Sequence, residues 1–176
     1  MTIVEKPLND VNLGAVAGLV DHIRATPDAA ATVWSADVRW TGAFRSEAQI
    51  REFSPLPSDE PLALGGTDTA PNPVEQVLAA LGNCLAVGYA ANASIEGITI
   101  HDLQINLQGN LDLRTFLGLA EANAGYEAIT VAVSIDSDAS DEQLARLHDR
   151  VVGTSPVGHT LSRPVPVRIE LTPKPS

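Results

Sequence analysis

The chain of 176 residues contains one cysteine, Cys84. A thiol becomes a nucleophile when it is deprotonated and accessible, and a peroxide can oxidise it to sulfenic acid. The same residue inside an apolar segment can instead be an inert, small hydrophobic side chain. One cysteine cannot form a disulfide within its own chain or build a zinc site from several thiolates. The redox question therefore concerns Cys84 alone.

Other residue types that could carry chemistry form weaker patterns. Glu75 precedes Cys84 by nine positions, which on a helix places the two side chains on opposite faces and roughly 13 Å apart along the axis. Glu75 is therefore interpreted as a helix cap and not as a base. The four histidines show no HxxxH or HExxH spacing, so neither a metal site nor a cofactor is predicted. The glycine loop at residues 65–68 lacks the Gly-Lys-Ser/Thr sequence of a phosphate-binding loop.

The segment around Cys84 is typical of a long central helix. Asn72 is a favoured N-cap, Pro73 suits the first helical position, and Glu75 can close a capping box with the backbone of the cap. Residues 77–93 are apolar on almost every side of such a helix. A helix without a polar face is expected to be buried in protein.

Shorter elements are predicted around this helix. An apolar stripe indicates an amphipathic helix from Val11 to Arg24, and a capping box at Ser140 begins another helix that stops at Gly153. The prolines at positions 55–61 predict a break in regular structure. Alternating or apolar runs predict strands at residues 31–40, 43–53, 62–64, 98–109, 129–135 and 165–171. This order of elements predicts a single α+β domain, with residues 1–28 as an N-terminal helical extension.

Composition restricts the possible partners. The formal net charge of −11 disfavours binding to nucleic acid and to anionic membrane surfaces. The apolar stretch from Leu13 to Val20 is too short and too weakly flanked for a signal peptide or a membrane span, so cytoplasmic localisation is expected.

The order of these motifs resembles the OsmC/Ohr family of thiol-dependent proteins that handle hydroperoxides. The resemblance covers roughly residues 33–171, and its features are Asp59-Glu60-Pro61, the Gly65-Gly66 loop, Asn72-Pro73 with Cys84 twelve residues after Asn72, Gly97-Ile98, and Ser155-Pro156-Val157 followed by Leu161. It implies an OsmC-like fold, with antiparallel sheets wrapped around long central helices in an intertwined homodimer.

The resemblance also assigns roles to individual positions. Cys84 matches the family's peroxidatic cysteine, whereas Ser155 stands where peroxidase members have the resolving cysteine, and a hydroxyl cannot form that disulfide. The position of the family's activating glutamate is Val74. Arg39 and Arg45 are the candidates for the activating arginine, and Arg45 is preferred because the chain turns back there after Gly42.

Three functional hypotheses remain open at this point. In the first, Cys84 reduces organic hydroperoxides in a one-cysteine cycle and an external thiol restores it. In the second, an apolar pocket at the dimer interface, lined by side chains such as Leu81, Leu85 and Val87, holds a small hydrophobic ligand without turnover. In the third, the protein is a stable dimer that assists other proteins.

Overall fold

The computed structural model describes residues 7–173, which form a single chain of helices and antiparallel strands. The helices are α1 (Leu13–Ala25), α2 (Pro73–Glu96), α3 (Leu113–Phe116), α4 (Asp141–Thr154) and α5 (Pro156–Ser162). The strands are β1 (Asp37–Gly42), β2 (Arg45–Gln49), β3 (Leu56–Ser58), β4 (Ile100–Leu111) and β5 (Tyr126–Ser137). The α+β class predicted from the sequence is confirmed.

The long helix α2 begins at the residues that the sequence indicates and ends at a glycine. The Asn72 side chain accepts a hydrogen bond from the Glu75 N–H at 2.9 Å, and the Glu75 carboxylate accepts one from the Asn72 N–H at 2.9 Å. This reciprocal capping box confirms the cap interpretation of Glu75. At the other end Gly97 adopts a left-handed conformation, with φ of 74°, which glycine reaches without steric cost.

The core lies between α2, α4 and the long β4–β5 hairpin. The hydrophobic side chains that are more than nine-tenths buried come from α2, from α4 and from the turn before β4, and they are Leu81, Leu85, Tyr89, Ala93, Ile98, Leu147 and Val151. The inward residues of β4 and β5 alternate with exposed ones and pack against this cluster. The pairing of β4 with β5 is irregular near its start, where the register shifts between Ile100 and Asp102.

The three-stranded sheet β1-β2-β3 has one polar and one apolar face. Strand pairing aligns Val38 with Ala48 and Ala48 with Leu56, so these side chains share a face with Trp40. In the single chain Val38 is 69% exposed and Trp40 is 72% exposed.

Four predicted features differ from the structure. Residues 62–64 form a 3₁₀ turn, not a strand, and residues 31–36 precede β1 without regular structure. The segment 55–61 contains the short strand β3, because Pro57 lies in an edge strand, where a missing N–H is tolerated. Helix α5 was not predicted. Residues 165–171, predicted as the last strand, pair with no strand of the described chain.

Candidate functional site

Cys84 lies near the middle of α2, half-buried, on the side of the helix that approaches the junction of α4 and α5. Its Sγ is 3.3 Å from Oγ of Ser155, a residue 71 positions later in the chain. Among residues 7–173 this hydroxyl is the hydrogen-bond partner of the thiol. The fold therefore brings together the two positions that the sequence singled out.

Ser155 is held in place by its local structure. It separates α4 from α5, it is only 4% exposed, and its Oγ accepts the N–H of Gly158 at 3.1 Å as the N-cap of α5. Pro156 follows at the first position of α5, where its ring fits the helical φ. Either Sγ or Oγ can donate in the contact with Cys84, but once the sulfur is a thiolate the Ser155 hydroxyl must be the donor.

A cavity of about 560 Å³ with a mostly apolar lining lies near this pair, although neither Cys84 nor Ser155 belongs to its wall. Gly158 belongs both to its wall and to the Ser155 cap, and Leu81, one helical turn before Cys84, forms another part of the wall. Polar side chains of the lining are Tyr126, Glu127 and Ser162, and the other lining residues are Val74, Val77, Leu111, Gly125, Ala128, Ile129 and Leu161. A volume of this size is within the range of small-molecule sites.

The apolar residues proposed for the interface pocket are not in one place. Leu81 lines the cavity, whereas Leu85 is 7% exposed and belongs to the core. Val87 is 69% exposed on another face of α2. Of the three, Leu81 is the one that belongs to the wall of the 560 Å³ cavity in the described part of the chain.

The candidate arginines lie on the three-stranded sheet. Arg45 begins β2 and shares the polar face with Glu47 by strand alternation, and Arg39 Nη2 is 3.9 Å from Glu47 Oε2 on the same face. Within the described residues no hydrogen bond or ion pair joins either arginine to Cys84. The assignment of Arg45 as the activating cation therefore stays a prediction.

Val74, at the position of the family's glutamate, occupies the first turn of α2. Its side chain lines the cavity, and its carbonyl oxygen accepts a hydrogen bond from the Tyr126 hydroxyl at 2.9 Å. Burial, and to a lesser extent the nearby Glu75 carboxylate, raises the pKa of Tyr126, so this phenol remains a hydrogen-bond donor at neutral pH. The first turn of α2 thus contributes an apolar wall and no carboxylate to the cavity.

Two polar contacts in the interior were not predicted from the sequence. Tyr89, 2% exposed on α2, is hydrogen-bonded through its hydroxyl to Nδ1 of His148 on α4, and burial raises the pKa of Tyr89. Asp59 is 1% exposed and accepts hydrogen bonds from the N–H and hydroxyl groups of Thr67 and Thr69. The tyrosine interrupts an apolar helix, which is a recognisable signal, but nothing in the sequence indicates its histidine partner.

No group of three or more histidine, cysteine, aspartate or glutamate side chains within residues 7–173 is arranged to hold a metal ion. The candidate site consists of a thiol, a buried hydroxyl and a nearby cavity with a mostly apolar lining.

The family model described as OsmC-like protein matches residues 66–170. The chain belongs to this family. The matched part of the OsmC-like protein includes the whole of α2 with Cys84, the β4–β5 hairpin, and the α4–α5 junction with Ser155. The resemblance inferred from the order of motifs is thereby confirmed.

Solved structures share the fold of this OsmC-like protein at low sequence identity. An OsmC-like protein from Mycoplasma pneumoniae is 20% identical, with a TM-score of 0.64 over 74% of this chain and 88% of that one. An organic hydroperoxide resistance protein OsmC from Legionella pneumophila is 15% identical, with a TM-score of 0.57 over 74% of this chain and 91% of that one. No curated protein matches the chain significantly. These similarities show the fold alone.

Proposed function

We propose that this OsmC-like protein reduces organic hydroperoxides through Cys84 alone and that an external low-molecular-weight thiol returns the cysteine to its starting state. The contact of 3.3 Å between Cys84 Sγ and Ser155 Oγ, beside an apolar cavity, is the observation that carries this proposal. The solved relatives described as organic hydroperoxide resistance proteins support the substrate class by analogy.

The proposed cycle balances without a second cysteine. The Cys84 thiolate attacks an oxygen of the hydroperoxide, the O–O bond breaks, and the alcohol leaves after taking a proton, so that Cys84 becomes a sulfenic acid. An external thiol attacks this sulfur, releases water and forms a mixed disulfide. A second molecule of the thiol then releases Cys84 as a disulfide of the external thiol forms. Ser155 can donate to the sulfur or to the sulfenic oxygen, but it cannot resolve the intermediate covalently.

The cavity favours a substrate with an apolar body. Leu81 and Gly158 bring its wall to the Cys84–Ser155 pair, and most of its lining side chains are apolar. Burial of apolar substrate surface contributes about 25 cal/mol per Å², so bulky hydroperoxides are favoured over hydrogen peroxide. The need for a thiol reductant is consistent with a reducing compartment such as the cytoplasm.

The test exposes reduced protein to an organic hydroperoxide, traps sulfenic acid at Cys84 with dimedone for mass analysis, and measures peroxide loss with added thiol. We expect a dimedone adduct at Cys84 and thiol-dependent turnover, both absent in Cys84→Ser. Persistence of an unmodified thiol under excess peroxide would exclude the one-cysteine enzyme.

A second candidate function is binding without turnover, which the size and apolar lining of the cavity favour. Native mass spectrometry separates the two functions. Copurifying apolar material that is displaced in the variant Leu161→Trp, together with an inert Cys84, would support binding in place of catalysis.

We further propose that the protein works as a homodimer. Its single chain exposes 13492 Å², whereas a compact monomer of 18.5 kDa exposes roughly 8,200 Å². Such an excess is ample for an obligate interface, which buries about 2,000–5,000 Å² in total. The apolar face of β1-β2-β3 and the exposed side of α2 at Val87 are surfaces that a second copy would cover.

A further inference from the structure

The N-terminal arm, residues 7–25, lies outside the part of the chain that matches the family model. It consists of a 3₁₀ turn at Leu8–Asp10 followed by α1. Its helical sequence, LGAVAGLVDHIRA, carries charge only near its C-terminal end, at Asp21 and Arg24, apart from the titratable His22. The family resemblance therefore gives no reason for the arm, and its own contacts have to explain it.

Asn9 fixes the base of the arm against the far end of α2. Its side-chain amide donates to Ser94 Oγ at 3.0 Å and to the Ile98 carbonyl at 2.9 Å, and its Oδ1 accepts the first N–H of β4, from Ile100, at 2.9 Å. Asn9 adopts a left-handed φ of 50°, a conformation that asparagine tolerates better than most residues. Because Ser94 and Ile98 are buried, α1 starts from a defined anchor.

The apolar stripe of α1 is incompletely covered by its own chain. Leu13 and Ile23, near its two ends, are half-buried, but between them Val16 is 37%, Leu19 57% and Val20 40% exposed. Spacings of three and four residues place these side chains on one face. The helix contacts α2 and the turn at Pro27–Ala30, and no residue of α1 is fully buried. An anchored helix thus presents an apolar stripe with an open middle.

The charges of α1 and of the whole chain distinguish between the partners that could bind this stripe. A helix that binds an anionic membrane surface carries lysine and arginine on its polar face, whereas α1 has one arginine, and that arginine pairs with Asp21 at 3.5 Å. The chain as a whole carries −11, which opposes both membrane and nucleic acid. A second copy of this chain offers exposed apolar side chains that can cover the stripe, among them Val38, Trp40 and Val87, and each chain exposes roughly 5,300 Å² more total surface than a compact monomer of its mass.

We infer that α1 is an exchanged arm: the stripe of Val16, Leu19 and Val20 packs onto the second copy, and each protomer holds its partner with the helix that Asn9 anchors. This inference rests on the homodimer proposed above and adds a contact outside the family-matched segment. Because both arms bind at once in a twofold assembly, one substitution in the stripe weakens two contacts in each dimer.

The decisive experiment places the photoreactive residue p-benzoylphenylalanine at position 19 and, as a matched control, at position 17 of the full chain. At about 100° per residue, Leu19 and Ala17 point roughly 160° apart on the same helix. Equal amounts of ¹⁴N- and ¹⁵N-labelled chains are refolded together and irradiated, and mass spectrometry then distinguishes products between chains from products within a chain. We expect inter-chain products of mixed mass from position 19 and few from position 17.

Intra-chain products alone from position 19, in a sample that sediments as a dimer, would overturn the exchanged arm and leave the dimer intact. If the sample is monomeric, both the homodimer and the exchanged arm are overturned.

A second comparison uses Leu19→Glu with Ala17→Glu as its control. We expect sedimentation at decreasing concentration to give a dimer dissociation constant at least about tenfold higher for Leu19→Glu than for the unmodified protein. The constant for Ala17→Glu should be nearly unchanged. Equal dissociation of the two variants, or flotation of the unmodified protein with vesicles of neutral and anionic lipids, would contradict docking on a second copy.

Discussion

At Cys84 the thiol and its environment come from different parts of the chain. The thiol is on α2, whereas the hydroxyl that faces it is the N-cap of α5. Local sequence around Cys84 predicts only a buried apolar helix. The contact with Ser155 depends on α4, which packs on α2 and delivers residue 155 to the sulfur.

Replacing Ser155 with cysteine tests whether the geometry for resolving a sulfenic acid persists. In Ser155→Cys, the new thiol would lie where Oγ now lies, 3.3 Å from Cys84 Sγ, so a small movement would reach the bond length of about 2.05 Å between disulfide sulfurs. We expect one equivalent of hydroperoxide to convert the pair to an intramolecular disulfide, seen as a loss of two hydrogens by mass. Cys84→Ser/Ser155→Cys is the control that cannot form it. Two free thiols after oxidation would show that the site is too rigid or misaligned.

Asp59 gives a prediction about acid stability. The hydroxyl of Thr67 donates to its carboxylate at 2.6 Å and is the main reason that the pKa of Asp59 lies far below its usual range, while burial acts in the opposite direction. Because this pKa is lower in the folded chain than in the unfolded one, the contribution of Asp59 to stability is present above about pH 4 and is lost as the pH falls towards the folded value.

The variant Asp59→Asn should therefore melt several degrees below the unmodified protein at pH 7. This difference in melting temperature should narrow as the pH falls below about 4. Thermal unfolding at several pH values measures this. Asp68→Asn, in the same loop but exposed, serves as the control and should follow the unmodified protein throughout. If the difference in melting temperature does not change with pH, the substitution acts by removing hydrogen bonds and not by removing the carboxylate charge.

At the scale of elements, the contact between α2 and α4 depends on a glycine. A Cβ added to Gly88 would lie 2.9 Å from Cγ1 of Val151, which is 1% exposed, whereas one added to Gly153 would meet nothing within 4 Å. Alanine in a helix is favoured over glycine by about 1 kcal/mol. Gly153→Ala should therefore stabilise the protein slightly, while Gly88→Ala should destabilise it by about 1–2 kcal/mol, because overpacking outweighs propensity.

Denaturant unfolding of both variants tests this pair. The double variant Gly88→Ala/Val151→Ala should be less destabilised than the sum of its single variants, because the smaller side chain at 151 relieves the clash. If the two substitutions lower the free energy of unfolding additively, the destabilisation by Gly88→Ala does not come from contact with Val151.

The sequence predicts the elements whose signals are local and fails where pairing is not local. The caps at Asn72 and Ser140 and the alternation in β5 are set within a few residues, and the structure contains them. Strand β3 has only three residues with a central proline, so its existence depends on pairing with β2. The Cys84–Ser155 contact and the Tyr89–His148 bond join residues 71 and 59 positions apart, and spacing alone cannot predict them.

At the scale of the whole molecule, helix α2 and the C-terminal segment expose much apolar surface in the described chain. Only 33% of the most apolar 18-residue window of α2 is buried in the single chain, although its length and composition would even suit a membrane span. Residues 165, 167, 169 and 171 alternate as an apolar strand face, and Ile169 is 91% exposed. The expectation that α2 is buried in protein is therefore met only in part by the described chain.

The C-terminal segment provides a test of the proposed homodimer. Strand β1 is an edge of its sheet and is free to pair with an added strand, so we expect residues 165–171 of one copy to extend a sheet of the other by β-augmentation. Ile169→Asp would then bury a charge twice per dimer and weaken association at least about tenfold, whereas Arg168→Asp, on the alternate side, should have a much smaller effect. Sedimentation equilibrium measures both, and emission from Trp40, which is 72% exposed in one chain, should shift to the red when the dimer separates. If both variants remain dimers with unchanged emission, the C-terminal segment is not part of the interface, and the exposed faces of α2 and β1-β2-β3 must join the two copies without it.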